Sequence, residues 1–179
     1  MDKLAYRVMI NTQLKSAHEE AASIRFLTLY NDLNKSDLCF TRLGDPSKKE
    51  PDCICSDNTA IELVGAYDNQ YQARKMWNDA RGKVNNERPE FKLVTFENLE
   101  LEIAKKLEKL NKKSYDGFTG EILLLCNLHS PLLTNSDVES FSTRYTPFKM
   151  DGYFDRYFQE IWITWQPENS SKWSIRQLE

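Results

Sequence analysis

The 179-residue chain has no long apolar segment. No stretch approaches the roughly 18 to 20 uninterrupted apolar residues that a bilayer span requires. The first residues, from Met1 to Arg7, also lack the apolar core of a secretory signal. These absences argue against a membrane protein and against a secreted one, so we expect a cytoplasmic protein with no membrane partner.

An excess of charge of either sign is also absent. The chain has 24 Lys and Arg against 27 Asp and Glu, which gives a formal net charge of −3. This balance excludes a strongly cationic, histone-like binder, because such proteins bind nucleic acid through an overall positive field. Any face that binds nucleic acid must therefore be local.

Cysteine and histidine are too few, and too irregularly spaced, to form a disulfide framework or a zinc site. The four cysteines are Cys39, Cys53, Cys55 and Cys126. They lie in or beside apolar runs, which is typical of reduced, partly buried thiols. Cys53 and Cys55 stand two apart with no second pair nearby, and the two histidines are far apart, so zinc is not expected.

Internal repeats, low-complexity segments and dividing linkers are absent as well. A chain of this length is normally one domain that can bury a sufficient core without a metal or disulfide staple. We therefore predict a single domain over residues 1–179.

The first half of the chain predicts a helix followed by short strands. Apolar residues recur at helical spacing over about 14–33, without Gly or Pro. The partly alternating run at 38–43 predicts a strand. Two β-prone runs at 52–55 and 60–64, separated by the small polar residues 56–59, predict a hairpin with a tight turn.

The second half predicts two more helices, at 71–81 and 97–113, and a central strand at 120–127, whose nearly continuous apolar run indicates burial on both faces of a sheet. The remaining segments predict a short strand at 91–96, one or two helical turns at 137–144, a helix or loop at 151–158, a strand at 161–165 and an edge strand at 172–176. This order predicts an α/β fold with a mixed sheet.

Two carboxylates fall at corresponding places in the predicted hairpin. Asp52 opens its first strand and Glu62 lies in its second strand, ten positions later, so the hairpin can bring both to one end of the sheet. Carboxylate oxygens, together with water and a phosphate oxygen, suit Mg²⁺, which is often held by only one or two carboxylates. Glu19 or Glu20 on the preceding helix would add a third carboxylate, and Glu20 is favoured because it shares the face of Ile24 and Leu27.

The same residues carry a resemblance to a known family. A helix with Glu, then Pro51-Asp52 opening a strand, then Ile61-Glu62 on the next strand, then a helix resembles the PD-(D/E)xK nuclease superfamily. The resemblance covers about 14–83, with the strand at 120–127 as a further core strand. It implies a restriction-endonuclease-like mixed β-sheet flanked by α-helices, with a core over about 14–127 and an aromatic-rich C-terminal extension.

Carried over residue by residue, the resemblance makes Asp52 the first acid of the motif, Glu62 the second and Glu20 the upstream helical acid. The motif then expects a lysine two positions after Glu62, and this chain has Val64 there. Variants of the superfamily place the cation on the following helix. Here Lys75 or Arg74 could supply it, and Gln72 could instead orient a water.

The function implied is a nuclease dependent on Mg²⁺ or Mn²⁺ that cleaves phosphodiester bonds of nucleic acid, with DNA favoured. Asp52, Glu62 and Glu20 would hold the metal, and Lys75 would act as the catalytic cation. The alternative, motivated by Val64, is a catalytically inactive nuclease-like fold that acts as a binding or assembly module through its aromatic-rich C-terminal third. The sequence leaves open whether the chain forms a homo-oligomer.

One basic run belongs to the predicted helix at 97–113. It comprises Lys105, Lys106, Lys109, Lys112 and Lys113, alternating with Glu100, Glu102 and Glu108. Such mixed charge predicts a solvated face of an amphipathic helix, and phosphate contact is a secondary interpretation.

Overall fold

Six strands form one mixed sheet in the computed structural model, which describes residues 3–67, 78, 95–130 and 132–179. The helices are α1 (Lys3–Asn34), α2 (Thr95–Asn111) and α3 (Asn135–Arg144). The strands are β1 (Phe40–Leu43), β2 (Cys53–Cys55), β3 (Thr59–Tyr67), β4 (Glu121–His129), β5 (Glu160–Trp165) and β6 (Ser174–Gln177). Short 3-10 turns occupy Pro46–Lys48 and Phe148–Asp151.

The order of the strands across the sheet is their order along the chain. β1, β2 and β3 form an antiparallel meander, β3, β4 and β5 run parallel, and β6 is antiparallel to β5 at the far edge. Every position from Ile122 to Leu128 in β4 is buried, which confirms the predicted central strand. None of the helices within the described ranges is long and apolar enough to cross a membrane.

Helices cover both faces of the sheet, so the predicted α/β class with a mixed sheet is confirmed. On one face α1 packs Ala22, Phe26 and Leu27 against alternate residues of the strands, among them Ile61, Leu63, Leu123, Leu125 and Trp162. On the other face, α2 and α3 pack Leu99, Ile103, Leu107, Leu110, Val138 and Phe141 against Val64, Ile122, Leu124, Cys126 and Ile163. Glu62 shares its parity in β3 with Val64 and therefore belongs to the α2 face.

Several boundaries differ from those predicted. α1 begins at Lys3 rather than at about 14. The predicted strand at 91–96 is wrong at its end, because Thr95 and Phe96 open α2. Phe96 lies three residues before Leu99, on the buried stripe of the helix, and stacks on Phe141 with ring centroids 4.4 Å apart. Residues 91–94, and the predicted helix at 71–81 apart from residue 78, lie outside the described residues.

Two segments of the C-terminal third were only loosely predicted, and the structure defines both. α3 starts two residues before the predicted turns and is fixed by a capping box between Thr134 and Asp137. The segment at 151–158 was predicted as a helix or a loop. It is a loop that follows the 3-10 turn ending at Asp151. β5 and the edge strand β6 confirm the two strands predicted at 161–165 and 172–176.

The turn between β2 and β3 fixes the register of the predicted hairpin, which is confirmed. Asp57 and Asn58 at its centre both have positive φ, 51° and 53°, a conformation that Asp and Asn tolerate better than most residues. The Thr59 N–H donates to the Ser56 carbonyl at 3.0 Å. Cys53 consequently pairs with Ile61, and Asp52 and Glu62 are the residues that follow this pair towards the open end of the hairpin.

We expect α2 to be held mainly by its buried stripe. Leu107 is fully buried, whereas Leu101 on the same helix is 60% exposed. Leu107→Ala should lower the free energy of unfolding by about 3 kcal/mol, because it opens a cavity under the sheet. Leu101→Ala should change it by no more than about 0.5 kcal/mol.

Urea unfolding followed by circular dichroism measures both values. Equal losses for the two variants would show that α2 does not pack through the Leu107 face.

Candidate functional site

The two predicted carboxylates lie side by side at the open end of the hairpin. The Asp52 backbone N–H donates to Glu62 Oε2 at 3.1 Å, and the Leu63 N–H donates to Asp52 Oδ2 at 2.9 Å. Each carboxylate thus accepts a hydrogen bond from the backbone of the segment that carries the other: Glu62 from Asp52, just before β2, and Asp52 from Leu63 in β3.

The loop before β2 holds Asp52 in place through a close backbone approach. The Gly44 N–H donates to the Asp52 carbonyl at 2.9 Å, and a Cβ on Gly44 would lie 1.7 Å from the Pro51 carbonyl oxygen, so only glycine fits. Arg42 closes the loop by a bidentate pair with Glu50, at 2.6 and 3.0 Å. The Arg42 guanidinium lowers the pKa of Glu50 to about 2.

A lysine from α2 completes the pair of carboxylates. Lys106 Nζ forms an ion pair with Glu62 Oε1 and lies 3.8 Å from Asp52 Oδ2. The Lys106 side chain is 13% exposed and that of Glu62 is 5% exposed. The prediction that Lys106 belongs to a solvated helix face is therefore wrong. Lys106 follows Ile103 by three residues and precedes Leu110 by four, which places it on the buried side of α2.

Tyr115 holds the same carboxylate oxygen from another direction. Its hydroxyl donates to Glu62 Oε1 at 2.8 Å, and the residue is buried just beyond the end of α2. Burial, followed by the nearby charge of Glu62, raises the pKa of Tyr115. The phenol therefore stays protonated and serves as a hydrogen-bond donor. Nothing in the sequence pattern singled out Tyr115, because its partner is 53 residues away along the chain.

Burial dominates the electrostatics of Glu62. It raises the pKa of Glu62 above the ordinary value, and the charge of Asp52 acts in the same direction. The Lys106 charge and the hydrogen bonds from Lys106 and Tyr115 act against this rise. Glu62 can thus be ionised in the interior only because a buried cation and a phenol face it.

The two helical acids differ in exposure and in their partners. Glu20 is exposed, whereas the Glu19 side chain is 14% exposed and pairs with Lys15 at 2.9 Å. Of the two residues that marked the face of Glu20, Ile24 is 45% exposed and Leu27 is 3% exposed, so that face is only partly buried. The buried stripe of α1 includes Ser23, which follows Glu19 by one helical turn.

Glu19 also feels the charges of the hairpin pair. Burial raises its pKa, the hydrogen bond from Lys15 opposes this, and the charges of Asp52 and Glu62 raise it further. Cys53 Sγ, which accepts from Ser23 Oγ at 3.1 Å and lies 3.8 Å from the Glu19 carbonyl oxygen, joins this part of α1 to β2. Glu19 therefore lies on the part of α1 that contacts β2.

Val64, which stands where the motif expects a lysine, lies in an apolar environment. Val64 is 7% exposed and packs in the core beneath α2. Lys75, Arg74 and Gln72, the residues predicted to compensate for it, lie outside the described residues. Among the residues the structure does describe, Lys106 is the cation in contact with Glu62.

The side chains around Asp52 and Glu62 meet the needs of the predicted Mg²⁺ or Mn²⁺ ion only in part. Asp52 and Glu62 offer the carboxylate oxygens that such ions prefer, and one or two carboxylates are enough for Mg²⁺. No cluster of three or more His, Cys, Asp or Glu side chains placed to hold a metal occurs within the described ranges. Exposed Glu20 adds no ligand, and the Lys106 ammonium already contacts both carboxylates. Within the described ranges, Asp52 and Glu62 are a carboxylate pair bridged by Lys106, and any divalent ion there would have to compete with that ammonium.

Comparisons of the chain with protein-family models, with curated proteins and with solved structures find no match.

We expect Lys106→Met to cost far more stability than the same change one residue earlier. Lys106→Met leaves the buried Glu62 charge without its cation and should lower the free energy of unfolding by about 3 kcal/mol at pH 8. Lys105 is the matched control, because it is 63% exposed and pairs with Glu102 on the surface. Lys105→Met should cost less than about 1 kcal/mol.

The cost of Lys106→Met should also depend on pH. A carboxyl group whose folded pKa is raised favours folding in its protonated form, and this contribution is lost as pH rises through the folded pKa. Removing Lys106 raises the pKa of Glu62 further, so the loss of stability should shrink from pH 8 to pH 5. Adding Glu62→Gln should abolish this dependence, and urea unfolding at the two pH values measures it. A loss independent of pH would contradict the ion pair.

Proposed function

We propose that the protein is a metal-dependent nuclease that hydrolyses phosphodiester bonds of nucleic acid, with DNA favoured by the resemblance to PD-(D/E)xK nucleases. The observation that carries this proposal is the Lys106 ammonium beside Asp52 and Glu62. It supplies, from a helix on the same face of the sheet, the positive charge that the motif expects at Val64. The mixed sheet with helices on both faces agrees with the core that the resemblance implies.

In this proposal each side chain has a role that follows from its contacts. Asp52 and Glu62 are the residues that would hold Mg²⁺ or Mn²⁺, whose chemistry there is to lower the pKa of water and to offset phosphate charge. Lys106 orients the attacking water and stabilises the negative charge that develops on the scissile phosphate. Tyr115 keeps the Glu62 carboxylate oriented. Glu19 takes the supporting role that the sequence assigned to Glu20.

The reaction is an ordinary hydrolysis. The oxygen of water forms a bond to phosphorus, the bond to one ester oxygen breaks, and that oxygen leaves as a hydroxyl after gaining a proton. The cation serves this reaction because negative charge develops on the phosphodiester and on the attacking water. The two carboxylates serve it because they would hold the metal ion.

A catalytically inactive binding or assembly module is the second candidate, and one observation favours it. Glu62 already accepts from Lys106, Tyr115 and the Asp52 backbone, so the pair is satisfied without any ligand. In this alternative the constellation is a buried polar network that stabilises the sheet, and partners bind elsewhere.

Cleavage assays with Mg²⁺ or Mn²⁺ on double-stranded DNA, single-stranded DNA and RNA test the proposal. The wild type should cleave at least one of these substrates, and Asp52→Asn and Glu62→Gln should abolish cleavage. Lys106→Met should lower kcat by about 10²- to 10³-fold, whereas Lys105→Met should retain full activity. A wild type that folds but leaves every substrate intact, or activity that survives both carboxylate substitutions, would overturn the assignment.

The two adjacent helical acids provide a second matched pair in the same assay. Glu19→Gln should reduce cleavage, because Glu19 lies in the electrostatic field of Asp52 and Glu62. Glu20→Gln should leave cleavage unchanged, because Glu20 is exposed. The reverse order of effects would restore the choice made from the sequence.

A further inference from the structure

Five exposed lysines lie on two chain segments that meet beside the carboxylate pair. One segment is the loop at 44–51, directly before Asp52, and the other runs from the last turn of α2 through the turn at 112–117. These residues are here called the lysine cluster, which comprises Lys48, Lys49, Lys109, Lys112 and Lys113.

A close backbone contact joins the two segments. The Gly117 N–H donates to the Lys49 carbonyl at 3.1 Å. A Cβ on Gly117 would lie 1.6 Å from the Lys48 carbonyl oxygen, so this approach requires glycine. Because Lys113 precedes Gly117 by only four residues, the contact brings lysines of both segments close to one another.

Both segments also lead into the site. The Tyr115 hydroxyl, which donates to Glu62 Oε1 at 2.8 Å, belongs to the same turn as Gly117. Lys49 precedes Asp52 by three residues, so their Cα atoms are at most about 11 Å apart. The lysine cluster is therefore adjacent to the carboxylate pair.

Most of the lysine cluster has no partner of opposite charge. Within the described ranges no ion pair is formed by Lys49, Lys109 or Lys113. Lys48 lies 3.6 Å from Asp45, and Lys112 lies 3.3 Å from Glu108. Both are exposed surface pairs, which contribute little to stability and leave the lysines available to another anion.

The remaining acids of the two segments do not offset this charge. Glu50 pairs with Arg42 at 2.6 Å, and Asp116 pairs with Arg156 at 2.7 Å. Five lysines against the two acids of the surface pairs leave an excess of three positive charges, in a chain whose net charge is −3. The protein thus has a local positive surface beside the site.

The composition of this surface suits a phosphate backbone better than a protein partner. The loop at 44–51 and the turn at 112–117 expose no large apolar side chain, since their one aromatic residue, Tyr115, is buried. Protein interfaces normally have an apolar core, whereas interfaces with nucleic acid are more polar and much more positively charged. Lysine binds phosphate as a point charge, so exposed and unpaired ammonium groups are sufficient.

We propose that the lysine cluster binds the phosphate backbone of a DNA duplex, next to the phosphodiester that would be cleaved at Asp52 and Glu62. The choice of DNA rests on the proposed function, whereas binding itself needs neither metal nor cleavage. Each lysine that neutralises a phosphate releases condensed counterions, so the affinity for DNA should fall steeply with salt concentration.

Fluorescence anisotropy of a short labelled DNA duplex, in EDTA and at several salt concentrations, tests this proposal. Lys49→Asn and Lys113→Asn are suitable changes, because both lysines have positive φ, 57° and 60°, which asparagine tolerates. The double variant should bind the duplex about tenfold more weakly. It should also reduce the slope of log affinity against log salt by about two, one for each phosphate contact removed.

A matched control removes the same charge elsewhere. Lys35 is exposed after the end of α1 and also has positive φ, 56°, and Lys172 is exposed in the loop between β5 and β6. Lys35→Asn combined with Lys172→Gln should retain the wild-type affinity and salt slope. An equal loss in both double variants would show that only net charge matters and would overturn the inference.

The same assay identifies the partner and separates this inference from the proposed function. Polyglutamate that displaces the duplex as well as unlabelled DNA of equal charge would assign the lysine cluster to an acidic protein and overturn the inference, as would absence of DNA binding in the wild type. DNA binding that depends on Lys49 and Lys113, in a protein that cleaves nothing, would support the lysine cluster and refute the nuclease. Cleavage together with binding that does not depend on these lysines would refute the inference alone.

Discussion

The buried ion pair between Glu62 and Lys106 is the constraint on which the site depends. A carboxylate 5% exposed, in the middle of a sheet, can remain ionised only if a cation and hydrogen-bond donors replace the water it has lost. Lys106 and Tyr115 do this on one oxygen, and the Asp52 backbone does it on the other. The ion pair therefore links the hairpin to α2 and to the turn beyond it.

The sheet places two different surfaces on either side of β3. Glu62 and Val64 face α2, where the cation lies, whereas Leu63 packs in the core beneath α1. Strand alternation thus gives one strand both the carboxylate and part of the core on the opposite face of the sheet. The hydrogen bond with Glu19 is the main cause that raises the pKa of Lys15, and burial is the main cause that raises the pKa of Glu19; the charges of Asp52 and Glu62 add to both shifts.

Local patterns were sufficient for the parts of the fold that local interactions determine. The turn at 56–59 and the run at 120–127 predicted the hairpin and the central strand, because turn conformation and continuous burial are legible in a few consecutive residues. The proximity of Asp52 and Glu62 could be predicted for the same reason, because both belong to this hairpin. Lys106, the partner of Glu62, could not be predicted in this way, because it is 44 residues away along the chain. The alternating charges around Lys106 also resembled those of a solvated helix face.

Two other residues were missed for identifiable reasons. Glu20 was preferred to Glu19 because Ile24 and Leu27 were taken to mark one buried face, whereas Ile24 is 45% exposed and the buried stripe of α1 also includes Ser23, one helical turn after Glu19. Tyr115 gave no signal of its own, because its partner Glu62 is 53 residues away along the chain.

The central claim is that Asp52, Glu62 and Lys106 form one site in which a divalent ion and the lysine share two carboxylates. Calorimetric titration with Mn²⁺ tests it directly in wild type, in Lys106→Met and in Lys106→Met combined with Glu62→Gln. Mn²⁺ should bind the wild type, bind Lys106→Met more tightly because the competing ammonium is gone, and not bind the double variant. Absence of Mn²⁺ binding to both wild type and folded Lys106→Met would contradict the claim and leave the constellation as a buried structural ion pair.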